Sequence, residues 1–168
     1  RAVFDGATSD RAGTDRDRAH VLFVGRLTEV KGVADLLEAM AVVRASVPSV
    51  TVTVVGEGPL RAALEARATE LALPVRFVES VSQQELASLM ARATLLCAPS
   101  KVTVNGQREA FGLVLAEAQA AGLPVVAYRS GGTGEALTHA VGGLLVDEAD
   151  VAGLSTAVTA LLADPAQR

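Results

Sequence analysis

The sequence has few of the residues on which many binding and catalytic sites depend. Its 168 residues include no Trp, one Tyr, four Phe, one Cys and two His. Few aromatic side chains and a net charge of -4 argue against a nucleic-acid surface, which needs basic and stacking residues. The single Cys97 cannot form an internal disulfide, and its place in the apolar run LLCAP predicts a buried thiol.

Long apolar runs are also missing from the sequence. No segment reaches the roughly 18 uninterrupted apolar residues that a membrane span requires, so we expect a soluble chain. Residues 1–18 are polar, densely charged and without periodicity, which predicts a linker. We assign residues 19–168 to one folded domain, expected to be part of a longer protein because the chain opens on Arg1.

From residue 20 onward, short runs rich in Val and Leu alternate with segments of helical periodicity. The pattern predicts strands within 20–25, 50–56, 75–78, 94–99, 124–128 and 143–146, and helices within 32–47, 59–73, 82–93, 111–122 and 151–163. Such alternation is typical of βαβ units on a parallel sheet. The predicted fold class is therefore α/β, a Rossmann-like three-layer α/β/α sandwich with a mainly parallel sheet.

Ligands of open parallel sheets bind at the carboxyl ends of the strands, so the loops that leave the strands are the places to look for a site. The first such loop is GRLTEVKG, in which Gly25 allows a tight turn and Arg26 and Lys31 bring two cations close to a helix N-terminus. This arrangement suits an anion. The alternative is that both cations are solvated surface residues. The next loop, GEGP at residues 56–59, fits a tight turn and is a weak signal alone.

The stretch REAFGLVLAEAQAAG, residues 108–122, carries two acids around a helix start. Unpaired backbone N–H groups near Gly112 could bind a phosphate. Glu109 before the helix and Glu117 within it could accept hydrogen bonds from sugar hydroxyls on either side of a diphosphate. The alternative is that Glu117 faces solvent and Glu109 is a loop charge. The Gly-rich SGGTGEA, residues 130–136, is interpreted as a backbone-lined wall or a flexible turn.

Five segments together carry a family resemblance: GRLTEVKG, GEGPLR, APS, EAFGLVLAEA and GLPVVAYRSGGTGE. Their order and spacing resemble the carboxyl-terminal, donor-binding half of retaining family 4 glycosyltransferases, which have the two-domain GT-B architecture. The resemblance covers about residues 20 to 165 and rests on the conjunction of motifs.

The resemblance implies catalytic roles for three side chains. Arg26 and Lys31 resemble the pair that grips the donor diphosphate, and Glu109 resembles the first acid of an E-x7-E motif, which contacts the transferred sugar. Glu117 resembles the second acid, which holds the nucleotide ribose.

The same resemblance implies that backbone groups bind the rest of the donor. Phe111, Gly112 and Leu113 match positions whose N–H groups meet the phosphates. The segment around Val81 matches the loop that reads the base, and Gly25 is counted among the donor-binding residues.

The activity implied is transfer of a sugar from a nucleoside diphosphate such as UDP or GDP to an acceptor hydroxyl, with retention at the anomeric carbon. No metal or other cofactor is expected, and the sole D-x-D, at Asp15 to Asp17, lies in the predicted linker. The partners expected are the nucleotide sugar and an amino-terminal acceptor-binding domain, without which this chain would be inactive. A cytoplasmic location is expected, with the cytoplasmic membrane surface as the alternative for the full-length protein.

Two other functions stay open from the sequence. One is half of a nucleotide-sugar 2-epimerase, and the other is a non-catalytic nucleotide-binding or interaction module of the same fold. The sequence also departs from the family pattern, with Glu79 where many members have Gly, Gly134 where many have Pro, and a long loop between Ser100 and Glu109.

Overall fold

The computed structural model describes residues 19–107, 112–138 and 143–164. Its strands are β1 His20–Val24, β2 Thr51–Val55, β3 Val75–Val78, β4 Leu95–Ala98, β5 Val125–Tyr128 and β6 Gly143–Val146. Its helices are α1 Val33–Ser46, α2 Arg61–Glu70, α3 Gln83–Arg92, α4 Leu113–Ala120, α5 Thr133–Thr138 and α6 Val151–Ala163, with a 3-10 turn at Glu29–Lys31. All eleven elements predicted from the sequence are present in the described ranges.

The six strands form one sheet in the order β3-β2-β1-β4-β5-β6, and every neighbouring pair is parallel. The chain builds outward from β1 in one direction through β3, then returns to the other side of β1 with β4. This reversal between β1 and β4 is the switch point at which open α/β sheets form a crevice. The predicted Rossmann-like α/β/α sandwich is confirmed, and the sheet is parallel throughout.

Alternating strand side chains divide the core into two layers. Val21 and Phe23 of β1 pack with α1, α2 and α6 on one face, while Leu22 packs with α3, α4 and α5 on the other. Tyr128 at the end of β5 belongs to the first face and is fully buried. Cys97 in β4 is also fully buried, as predicted, and burial raises the pKa of its thiol.

Local signals define where the helices begin. Ser82 accepts a hydrogen bond from the backbone of Glu85, whose carboxylate accepts one from the backbone of Ser82, which is a capping box at the start of α3. Asp150 caps α6 by accepting from Gly153 N at 2.8 Å. Helix α1 follows Gly32, which takes a left-handed conformation with φ of 68°.

The sequence interpretation of residues 130–136 was a wall or a turn with a helix-like start at Glu135, and the structure forms the short helix α5 from Thr133 onward. The linker predicted at residues 1–18 lies outside the described residues. Among the residues that the structure describes, no helix is long and apolar enough to cross a membrane.

Candidate donor-binding site

A cavity of about 590 Å³ lies beyond the carboxyl ends of β1 and β2. It is lined by apolar side chains at the strand ends, by glycines, and by a few polar residues, namely Val24, Gly25, Arg26, Val55, Gly56, Glu57, Gly58, Ser80, Val81 and Leu86. Ligand pockets are typically about 300–1,000 Å³ and mainly apolar, with few polar groups. Its volume and lining are those of a site for a small organic ligand.

The first two strand-exit loops pack backbone against backbone. Gly25 N donates to Val55 O at 3.0 Å, and Leu27 N donates to Glu57 O at 2.8 Å. At Gly56 a Cβ would overlap the carbonyl oxygen of Gly25, and the φ of 145° is one that L side chains rarely adopt. The GEGP motif is a weak signal by itself. Its loop packs directly against the GRL segment, and this close packing requires glycine. Together the two loops form one side of the cavity.

Two predicted cations lie at this edge of the sheet. Arg26 lines the cavity and is exposed, and within the described ranges no hydrogen bond or ion pair joins its side chain to another residue. Lys31 is half-buried, and its Cδ and Cε lie 3.5 and 3.6 Å from the point that a Cβ on Gly25 would occupy. The aliphatic part of the Lys31 side chain therefore packs over Gly25, which lines the cavity. Lys31 and Arg26 belong to the same loop at the side of the cavity.

The cavity also contains a carboxylate that the sequence did not single out. Glu57 lines it opposite the β3 exit, where Ser80 Oγ lies 3.5 Å from Glu57 Oε1. Val81 lines the same side, and its predicted base-reading role stays a prediction. The wall formed by Val24, Val55 and Val81 is apolar enough for a flat ring to lie against it.

The structure describes only some of the site residues predicted at the start of α4 and around it. Glu109 and Phe111 lie outside the described residues. Gly112 caps α4, and a Cβ there would lie 3.0 Å from Leu115 Cγ, so packing of the first helical turn accounts for this glycine. Leu113 is largely exposed, and Glu117 is half-buried on α4 without lining the cavity. The roles predicted for these residues stay predictions.

Within the described residues, no group of three or more His, Cys, Asp or Glu side chains is placed to hold a metal ion. Ser130, after β5, is an additional feature: its hydroxyl is buried and has no hydrogen-bond partner in the described part of the chain. No sequence motif indicated this buried hydroxyl.

The sequence matches a family described as "Glycosyl transferases group 1" over residues 7–168. The chain belongs to the group 1 glycosyltransferases. Its fold is that of the carboxyl-terminal domain in GT-B enzymes, as predicted. The activity class of this family is glycosyl transfer.

Individual group 1 glycosyltransferases share substantial identity with the chain. It is 40% identical over 150 residues to a glycogen synthase of Mycobacterium tuberculosis, covering 88% of the chain and 35% of the relative. It is 37% identical over 152 residues to a GDP-mannose-dependent alpha-(1-6)-phosphatidylinositol monomannoside mannosyltransferase of Mycolicibacterium smegmatis, covering 89% of the chain and 40% of the relative. The chain therefore spans well under half the length of these curated relatives.

A solved structure shows the same architecture. Anabaena Alr3699/HepE in complex with UDP superimposes with a TM-score of 0.78 at 28% identity, over 90% of the chain and 41% of that protein.

Proposed function

We propose that this domain binds the nucleoside-diphosphate sugar of a retaining glycosyltransferase that moves the sugar to an acceptor hydroxyl. The observation that carries the proposal is the cavity beyond the carboxyl ends of β1 and β2, where the Arg26 side chain and the glycine backbone of two loops meet an apolar wall. An apolar wall suits a base, and cations suit a diphosphate.

Each part of the donor has a proposed partner. The base lies against Val81 and its neighbours, the diphosphate beside Arg26 and Lys31, and the ribose near Glu117. Glu109, outside the described residues, would contact the transferred sugar, and the N–H groups of Phe111 to Leu113 would meet the phosphates. The UDP bound to the Anabaena protein supports a nucleotide ligand, while the GDP-mannose dependence of the mycobacterial relative leaves two bases to be tested.

In the proposed reaction, the bond between the anomeric carbon and the leaving phosphate oxygen breaks, the acceptor oxygen bonds to the same face of the sugar, and the proton of the acceptor hydroxyl passes to the leaving diphosphate. Negative charge grows on the leaving diphosphate. The cations at Arg26 and Lys31 stabilise that charge more in the transition state than in the ground state, which accelerates the step. We propose that these cations serve without a bound metal, and that the acceptor site lies in the rest of the protein, so that this domain alone binds donor but transfers poorly.

The experiment that tests this is calorimetry of the 168-residue chain with UDP, GDP, ADP and their common sugar conjugates, with and without EDTA. We expect saturable binding of one base series, unchanged by EDTA. A ligand that binds only the folded state also raises its melting temperature, which gives an independent readout. Absence of binding to every nucleotide in the panel would contradict the proposal.

Lys31→Ala tests the diphosphate assignment. We expect affinity for the nucleoside diphosphate to fall by about 1–3 kcal/mol, the scale of a charge-assisted contact. The control is Arg92→Ala, which removes an equal charge at the end of α3, on the opposite edge of the sheet. The assignment would be wrong if both variants lose the same affinity, or if Lys31→Ala weakens the phosphate-free nucleoside equally.

A further inference from the structure

The loop after β4, residues 99–107, is held against two other loops at the ligand edge of the sheet. Lys101 Nζ donates to Asp35 Oδ1 at 2.9 Å, and Lys101 N donates to Val30 O at 2.8 Å. On the other side, Val102 N donates to Glu148 Oε1 at 2.8 Å. Two consecutive residues thus connect this loop to the start of α1 and to the start of α6.

The contact between Lys101 and Asp35 is part of a larger polar network. The second carboxylate oxygen of Asp35, Oδ2, accepts a hydrogen bond from Tyr128 OH at 3.0 Å. Tyr128 is fully buried, and the side chains of Lys101 and Asp35 are only 22% and 14% exposed. Burial, together with the Asp35 carboxylate, raises the pKa of Tyr128, so the phenol stays a hydrogen-bond donor at neutral pH. Both Asp35 oxygens are therefore engaged, one by a cation and one by a neutral donor.

This network joins the Lys31 segment of the proposed donor site to the loop after β4. Asp35 is in the first turn of α1, four residues after Lys31, and Lys101 is in that loop, residues 99–107. Close packing reinforces the link, because a Cβ on Gly32 would overlap the carbonyl oxygen of Pro99. Shielded from water, the ion pair is screened less than a surface pair and can set a distance between loops.

We propose that Asp35, Lys101 and Tyr128 are positioning residues for donor binding. The network holds the Lys31 segment against the loop after β4, so that the cation proposed to meet the diphosphate is already in place. Ordering this segment before the ligand arrives removes that part of the cost of binding. The inference rests on the proposed function, since it presumes a diphosphate beside Lys31.

The test uses Lys101→Met, which keeps the length of the stem and removes the charge, and Lys101→Arg, which keeps a donor for Asp35. Affinities of the 168-residue chain for UDP and GDP are compared with those for uridine and guanosine. We expect Lys101→Met to weaken diphosphate binding about tenfold and nucleoside binding hardly at all, with most of the loss recovered in Lys101→Arg. Circular dichroism establishes that each variant is folded at the titration temperature.

The control variant is Arg67→Met, which breaks an ion pair with Glu38 that lies on the helical surface away from the cavity. We expect it to leave both affinities unchanged. Hydrogen exchange without nucleotide supplies a second readout: the amides of Lys101 and Val102 should exchange faster in Lys101→Met than in the unaltered chain.

The outcomes separate the two proposals. If the unaltered chain binds a diphosphate and Lys101→Met binds it equally well, the positioning role is refuted and the proposed function stands. Equal losses for diphosphate and nucleoside also refute it, because they indicate general destabilisation. If the unaltered chain binds neither UDP nor GDP, the proposed function fails and the inference fails with it.

Discussion

Replacing Gly32 by Ala tests whether the loop after β4 truly packs against the start of α1. Gly32 has φ of 68°, and a Cβ there would overlap the carbonyl oxygen of Pro99. The chain offers a matched control in Gly122, which follows α4 with φ of 67° and has no atom within 4 Å of the position of an added Cβ. The two glycines thus share a backbone conformation and differ in their surroundings.

The expected magnitudes follow from these two environments. An L residue in the left-handed region costs about 1–2 kcal/mol, and Ala recovers about 0.4–1 kcal/mol by restricting the unfolded chain. Gly122→Ala should therefore lower the free energy of unfolding by about 0–1.6 kcal/mol. Gly32→Ala adds an overlap with backbone, for which overpacking costs of about 1–3 kcal/mol are usual, giving a total of about 1–4.6 kcal/mol.

The assay is urea unfolding followed by far-UV circular dichroism, because the chain has no Trp to serve as a fluorescent reporter. Free energies of unfolding come from linear extrapolation, and similar m-values in the three proteins would support a common transition. Gly32→Ala should cost at least 1 kcal/mol more than Gly122→Ala. Equal losses would refute the close contact between Gly32 and Pro99.

Two further substitutions test other features of the fold. Ser82→Ala removes the cap of α3 and should lower the free energy of unfolding by about 1 kcal/mol in urea, and no loss would contradict the capping box. Glu38→Gln tests a pH effect: a side-chain hydrogen bond from Arg67 lowers the pKa of Glu38 below 4.5, so this carboxylate adds stability above that pH and loses it as pH falls through its folded pKa. Thermal melts from about pH 6 to about pH 3 should therefore show a shallower fall for Glu38→Gln than for the unaltered chain. Identical slopes would refute this; the expected difference is small because the pair is partly exposed to solvent.

Most of the secondary structure could be predicted because its signals are local. Runs such as HVLFV and TVTVV are too short and too rich in β-branched residues for helices, and the segment SQQELASLMAR carries both a capping box and helical spacing. Helix α5 was only partly predicted because it has six residues and follows two glycines, which locally favour a turn.

The site was predictable only in part. Gly25 and Arg26 could be selected because they follow a strand, and Val81 through the family resemblance. The structure brings the three residues to one cavity. Glu57 joins them through the packing of two loops, which no spacing within GEGP reveals. The network around Asp35 was invisible to motif reasoning, because Lys101 and Tyr128 are 66 and 93 residues from it in sequence.

The strand order also determines when the sheet can be completed during synthesis. One edge of β1 pairs with β2 soon after it is made, but the other pairs with β4, about 70 residues later. At about 5–20 residues per second, a ribosome needs roughly 4–14 seconds to supply β4. During that interval β1 presents an apolar strand with an open hydrogen-bonding edge, the kind of surface on which nascent chains associate. The side of β1 that faces the switch point is thus protected only after β4 has been made.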